Sequence, residues 1–169
     1  MKKIRLATVW LDGCSGCHMS LLDIDEALVP LAGRIDLVYG PLVDAQEFPK
    51  AVDVTIVEGA VSSQDDLDKA RLLRARSKLV VALGDCAVTS NVPAMRNNIP
   101  VKKLLEGIYG TPPGDGVPPL LKHAVPLHDA IKVDLHVPGC PPPAKTIGFV
   151  LGELLEGRVP ELAGKVKFG

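Results

Sequence analysis

Four cysteines lie directly after three short apolar runs, and this repeated pairing constrains the fold more than any other feature. Ile4 to Trp10 runs into Asp12-Gly13-Cys14-Ser15-Gly16-Cys17-His18; Leu79 to Leu83 runs into Gly84-Asp85-Cys86; Val133 to Val137 runs into Pro138-Gly139-Cys140-Pro141. Each run has the length and aliphatic content of a strand buried on both faces. Ile35 to Tyr39 and Val52 to Val57 read as two more strands. Helical patterns fill the gaps. From His18, the residues Leu21, Leu22, Ile24, Ala27 and Leu28 fall near a 3.6-residue period, and Pro30 and Gly33 are expected to end that helix. Ser63 with Asp66 three residues later gives a capping-box start to a helix that continues to Arg76. A last helix is expected over Ala144 to Glu156 after a proline-rich entry. Strands alternating with helices at this spacing predict an α/β fold, a flavodoxin-like doubly wound parallel sheet in a single domain over residues 1–169.

Between Ile99 and Lys132 the pattern weakens. A short helix is expected near Val92 to Asn97, and one or two helical turns at Lys102 to Glu106. Thr111 to Pro119 holds four prolines and two glycines and reads as a rigid, irregular loop, of the kind that serves function or meets a partner.

Composition removes several classes of function. With 19 basic against 20 acidic residues, the net charge of −1 supplies no attraction for nucleic acid or an anionic membrane. Aromatic residues at 4% leave little to stack on bases. No apolar stretch reaches the roughly 18–20 residues of a membrane span. The basic N-terminus leads through a short apolar run straight into the first cysteine loop, so it reads as a first strand and not a signal peptide. The expected location is the cytoplasm, where thiols stay reduced.

In open parallel sheets, ligands bind beyond the carboxyl ends of the strands. All four cysteines are expected there, with Glu58 at the matching position after the third strand. A structural zinc typically takes two close cysteine pairs, and here only Cys14 and Cys17 are close. A thioredoxin-like dithiol would leave Cys86 and Cys140 idle. A [4Fe–4S] cluster takes four thiolates, often with a Cys-Pro pair, and Cys140-Pro141 fits that habit. The cluster is the leading reading; zinc, dithiol chemistry and buried structural thiols remain beside it.

Cys14-Ser15-Gly16-Cys17, Val57-Glu58-Gly59-Ala60, Gly84-Asp85-Cys86 and Pro138-Gly139-Cys140-Pro141-Pro142 occur in an order that resembles the N-terminal domain of [NiFe]-hydrogenase small subunits. The resemblance covers nearly the whole chain. Gly84 to Asn91 and Met95-Arg96-Asn97 are similar to the short small subunit of soluble NAD-reducing, bidirectional hydrogenases. It implies a flavodoxin-like domain holding one proximal [4Fe–4S] cluster on Cys14, Cys17, Cys86 and Cys140. It also implies two kinds of partner: a large subunit with nickel and iron, and diaphorase subunits with further clusters, FMN and the NAD site. The chain would relay electrons between them, being part of a hydrogen dehydrogenase without a catalytic residue of its own. Uptake-type relatives continue into a second cysteine-rich domain, whereas the four cysteines here suffice for one cluster. In the cluster-bearing subunit of respiratory complex I the first two cysteines are adjacent; here two residues separate them. The alternative functions are a zinc- or thiol-based interaction module, or a cluster relay serving an acceptor other than NAD.

Other residues carry two readings each. Glu58 is a candidate to accept backbone N–H bonds, relay protons or ligate iron, against a plain turn-stabilising acid. Asp12 and Asp85 are expected to stabilise turns. His18 either bonds toward the cluster or partner, or simply begins a helix. His123, His128 and His136 have no ligand spacing. Trp10 either covers the cluster or packs in the core. Met19, Leu21, Leu22 and the loop 111–119 are candidate partner surfaces. FMN is not expected on this chain, because Cys14 and Cys17 occupy the loop where a flavodoxin cradles phosphate.

Overall fold

A computed structural model describes residues 3–110, 114 and 116–169. Its centre is a parallel sheet of β1 (Ile4–Trp10), β2 (Ile35–Tyr39), β3 (Val52–Glu58), β5 (Ser77–Leu83) and β7 (Leu135–Val137), in the order β2-β1-β3-β5-β7. Numbering these five strands alone gives 2-1-3-4-5, the flavodoxin-like order, whose direction reverses between the first and third strands. β4 (Val61–Ser63) and β6 (Leu120–Val125) form a separate antiparallel pair.

The central strands are apolar on both sides because helices cover both faces. Ala7, Val9, Val80 and Ala82 point to one face, where Ala70 and Leu73 of α3 (Gln64–Arg76) and Leu127 of α6 (Leu127–Ala130) meet them. Leu6, Val54, Ile56, Val81 and Leu83 point to the other, against Ile147, Val150, Leu151 and Leu154 of α7 (Ala144–Leu155). Leu73, Leu127 and Ile147 are fully buried, each contributing about 1.5–3 kcal/mol of hydrophobic stabilisation.

The capping box opens α3 as the sequence predicts: the Asp66 N–H donates to Ser63 Oγ at 3.1 Å, and the Ser63 N–H returns to Asp66 Oδ2 at 2.9 Å. The helix expected from His18 to Pro30 is instead three pieces: α1 (Gly16–Leu22), a 3-10 turn (Asp25–Ala27) and α2 (Leu28–Ala32). Asp25 at φ 57 breaks the path. Pro30 does not end a helix; it sits in the first turn of α2, where no N–H is needed. The strand expected from Val133 begins at Leu135, because Asp134 Oδ2 takes the Val80 N–H at 2.8 Å. The short helix expected at Val92 is a 3-10 turn (Val92–Asn98), preceded by α4 (Asp85–Thr89), and Lys102 to Glu106 lies inside α5 (Val101–Tyr109). Thr111, Pro112, Pro113 and Asp115 of the proline loop lie outside the described residues.

Candidate functional site at the carboxyl ends of the strands

Parallel strands place all their carboxyl ends on one edge of the sheet, and the four cysteines follow from that edge. The loop after β1 is lashed to the end of β3: the Leu11 N–H donates to Glu58 O at 2.9 Å, and Asp12 and Ala60 exchange backbone hydrogen bonds of 3.1 and 2.8 Å. The two loops approach so closely that a Cβ at Gly59, whose φ is 95°, would stand 2.7 Å from the Leu11 carbonyl carbon. Asp12 thus works through its backbone. Beyond this junction Ser15 at φ 63 starts α1, which carries the buried Cys17 in its first turn. Cys14 stays exposed, with the Gly16 N–H donating to its Sγ at 3.4 Å.

Glu58, at 2% exposure, crosses from β3 to the start of α1. Its carboxylate accepts the N–H of Cys17 at 3.4 Å and of His18 at 2.9 Å, and lies 2.5 Å from His18 Nδ1. Glu58 accepts backbone N–H groups as one of its expected readings has it, capping a helix whose own N-cap side chain makes no such bond, and it also pairs with the His18 ring. His18 is buried with its ring turned toward Glu58 and its Nε2 without a protein partner.

The loops of Cys86 and Cys140 are joined in the same way. The Gly84 N–H donates to Val137 O at 2.8 Å and the Asp85 N–H to Gly139 O at 2.9 Å. The buried Asp85 carboxylate accepts the N–H of Gly139 at 2.6 Å and of Gly169 at 2.8 Å. Asp85 therefore ties two loops and the last residue together, a longer reach than the local turn expected of it. Gly84, at φ 82, backs onto Cys17, and a Cβ there would collide with Cys17 Sγ. The chain beyond Cys86 returns a donor to another strand end: Asn91 Nδ2 gives to Cys140 Sγ at 3.6 Å.

Three strand ends thus bring Cys14, Cys86 and Cys140 within electrostatic reach of Cys17. Burial raises the Cys17 thiol pKa well above its usual value, followed by the charges of Glu58, Cys86, Cys14 and Cys140. Burial raises that of Cys86 too, then Cys140 and Cys14, against the Val92 N–H. Cys17 and Cys86 therefore hold their protons unless a cationic centre draws them off, which is how a metal acts on the thiols that ligate it. The donor set, the N–H groups aimed at sulfur and the glycine contact behind Cys17 fit an iron–sulfur centre. Among the described residues, no three His, Cys, Asp or Glu side chains are placed to share one metal ion.

The remaining sequence candidates fall at the margin. Trp10 is 45% exposed, which removes its core reading; its Nε1 is 3.7 Å from where a Cβ of Gly13 would lie, beside the cysteine loop. Met19 at 56% and Leu22 at 42% are exposed, and Leu21 and Leu22 line an apolar groove with Leu28, Leu31, Leu37 and Leu42. His128 and His136 stack edge to face at 5.5 Å, a contact that no spacing predicts. Asn91, Val92 and Gly169 were not legible as site residues; only the tolerance of Asn for left-handed backbone hinted at Asn91.

The family model for the NADH ubiquinone oxidoreductase 20 kDa subunit matches residues 14–154. A subunit of the vhu F420-non-reducing hydrogenase of Methanocaldococcus jannaschii is 36% identical over 96% of this chain and 60% of its own length. The chain therefore spans about three fifths of that relative. The delta subunit of the NAD-reducing hydrogenase HoxS of Cupriavidus necator is 34% identical over 97% of this chain and 84% of its own. Among solved structures, a chain of an NAD+-reducing [NiFe]-hydrogenase in the H2-reduced state superposes with a TM-score of 0.94 at 35% identity, covering 99% of this chain and 100% of that one. A [NiFeSe]-hydrogenase chain from Dm. baculatum, at 21% identity and a TM-score of 0.64, shares the fold over 95% of this chain and 67% of its own.

Proposed function

Because this chain belongs to the NADH ubiquinone oxidoreductase 20 kDa subunit family, we propose that it is the electron-transfer subunit of an NAD-linked [NiFe]-hydrogenase, a single domain holding one proximal [4Fe–4S] cluster. The ligands are Cys14, Cys17, Cys86 and Cys140. The observation that carries this reading is the delivery of these four thiols, from three strand ends, to one edge of the sheet, where Gly84 backs onto Cys17 and Asn91 reaches Cys140. Its relation to the delta subunit of an NAD-reducing hydrogenase supports the assignment of the acceptor.

When bound, the cluster supplies one-electron storage, so that the two electrons of H2 ⇌ 2H⁺ + 2e⁻ on a partner large subunit pass singly towards diaphorase subunits with FMN and the NAD site. The chain's own residues build the place for it. The four thiolates balance the charge of iron. Gly84 leaves room for the Cys17 sulfur, and the Gly16 N–H and the Asn91 amide face sulfur. Glu58 fixes the start of α1, and with it Cys17, by accepting backbone N–H groups; it neither ligates nor carries protons in this reading. No helix among the described residues is long and apolar enough to cross a membrane. We place the assembly in the cytoplasm, where reduced thiols persist.

The test is iron, acid-labile sulfide and zinc per chain, on the full chain reconstituted without oxygen. About four irons and four sulfides, lost in Cys140→Ser, are expected. Zinc without sulfide would overturn electron transfer in favour of a structural metal module. Hydrogen oxidation by this chain alone would equally overturn the division of labour proposed.

A further inference from the structure

The chain leaves α4 through an unusual turn. Ser90 takes φ 66, and Asn91 takes φ 29 with ψ −120. Two successive non-glycine residues in left-handed territory cost about 1–3 kcal/mol each, and such strain gathers where function over-determines the backbone. The turn is pinned on both sides, by the Ser90 N–H on Cys86 O at 3.1 Å and by the Ala94 N–H on Ser90 O at 3.2 Å. Its product is a donor that leaves the Cys86 strand end and is aimed at a sulfur on another: Asn91 Nδ2 at Cys140 Sγ, 3.6 Å away.

Cys140 has need of an outside donor. Pro141, Pro142 and Pro143 follow it and have no N–H to give. The Gly139 N–H before it is taken by Asp85 at 2.6 Å. Cys14, by contrast, receives the N–H of Gly16 from its own loop.

We propose that Asn91 is a positioning residue that sets the electron affinity of the centre, its strained turn aiming its amide at Cys140 Sγ. This rests on the four cysteines being ligands of one [4Fe–4S] cluster. The physical basis is simple. The reduced centre carries one more negative charge than the oxidised one, and an N–H pointed at a ligand sulfur stabilises the more negative form. Loss of the donor therefore makes the centre harder to reduce.

The experiment is a redox titration of the anaerobically reconstituted full chain, followed by the paramagnetic signal of the reduced centre, with iron and sulfide counted in parallel. Asn91→Gly removes the amide and suits the left-handed backbone; Asn91→Asp keeps the shape and turns the donor into an anionic acceptor. At the ambient potential where the unsubstituted centre is half reduced, the ratio of reduced to oxidised centre is expected to fall about fivefold in Asn91→Gly, the weight of one ordinary hydrogen bond. It falls further in Asn91→Asp. Titration curves that coincide with the unsubstituted chain, at full iron content, would overturn the inference. Loss of iron in Asn91→Gly with an unshifted centre in Asn91→Asp would overturn it too, leaving Asn91 a structural turn residue. An unsubstituted chain that takes up no cluster would instead bring down the ligand assignment, and this inference with it.

Discussion

At Gly84 a single added methyl group would collide with Cys17 Sγ, on a backbone at φ 82. Gly84→Ala combines left-handed strain with overpacking against a sulfur from another loop, and is expected to cost about 2–4 kcal/mol in urea denaturation. Gly107, inside α5 with nothing within 4 Å of its would-be Cβ, is the counterpart. Gly107→Ala is expected to stabilise by about 0.5–1 kcal/mol in the same measurement, since only helix propensity changes. Glu58 is the third such residue, accepting two backbone N–H groups beside its contact with the His18 ring. Glu58→Ala strands the N–H groups of Cys17 and His18 in a buried place, and a loss of at least about 2 kcal/mol in stability is expected. Glu58→Gln keeps an acceptor oxygen and should lose less. That ordering separates a capping role from one that needs the charge alone.

The start of α3 is held by a pair of reciprocal hydrogen bonds, so Ser63→Ala is expected to lower stability by about 1 kcal/mol on chemical denaturation. The end of the same helix is joined to the sheet by Arg74, whose guanidinium reaches Asp134 at 2.5 Å, Lys132 O at 3.3 Å and Ser77 O at 2.5 Å. Burial alone would raise the Asp134 carboxyl, but the Val80 N–H and Arg74 outweigh it and hold its pKa below the usual value. A depressed carboxyl stabilises the fold fully above its unfolded value of about 3.9, and that share is lost as pH falls through the folded value. Thermal melts of Asp134→Asn should therefore lie below those of the unsubstituted chain at neutral pH and converge with them in acid. The difference is modest, about 0.5–1 kcal/mol, because the pair is partly exposed. These elements also mark what a sequence can and cannot disclose. The capping box was legible because it is local, and β1, β2 and β3 because each is a short run rich in aliphatic and β-branched residues. β4 was not, since three residues have no measurable period, nor was its partner β6, which interrupts Leu and Val with Lys122 and His123. The break at Asp25 escaped notice because the apolar spacing runs on across it.

Over the whole molecule, the thiols join three loops that the chain visits at widely separate points. A centre bound to all four cross-links them, and binding to the folded state alone stabilises it. Removal of iron by chelation under reducing conditions is expected to lower the melting temperature. Amide exchange should quicken across residues 12–17, 84–92 and 138–143, while α5 and β6 stay as they were. Uniform quickening through the sheet would show that the centre is not the local cross-link it is taken to be. The convergence of the cysteines was readable in advance because parallel strands share one carboxyl edge. The cross-loop bonds of Asp85 and Asn91 were not, because they depend on how two irregular loops face each other across it. One of those bonds bears on how the protein is handled. Asp85 holds the Gly169 N–H, and a Cβ on residue 169 would fall 2.6 Å from that of Cys140. Position 169 is thus anchored beside a ligand loop. A bulky side chain introduced there would crowd metal loading, whereas one at Lys3, just before β1 at the opposite ends of the strands, would leave it free.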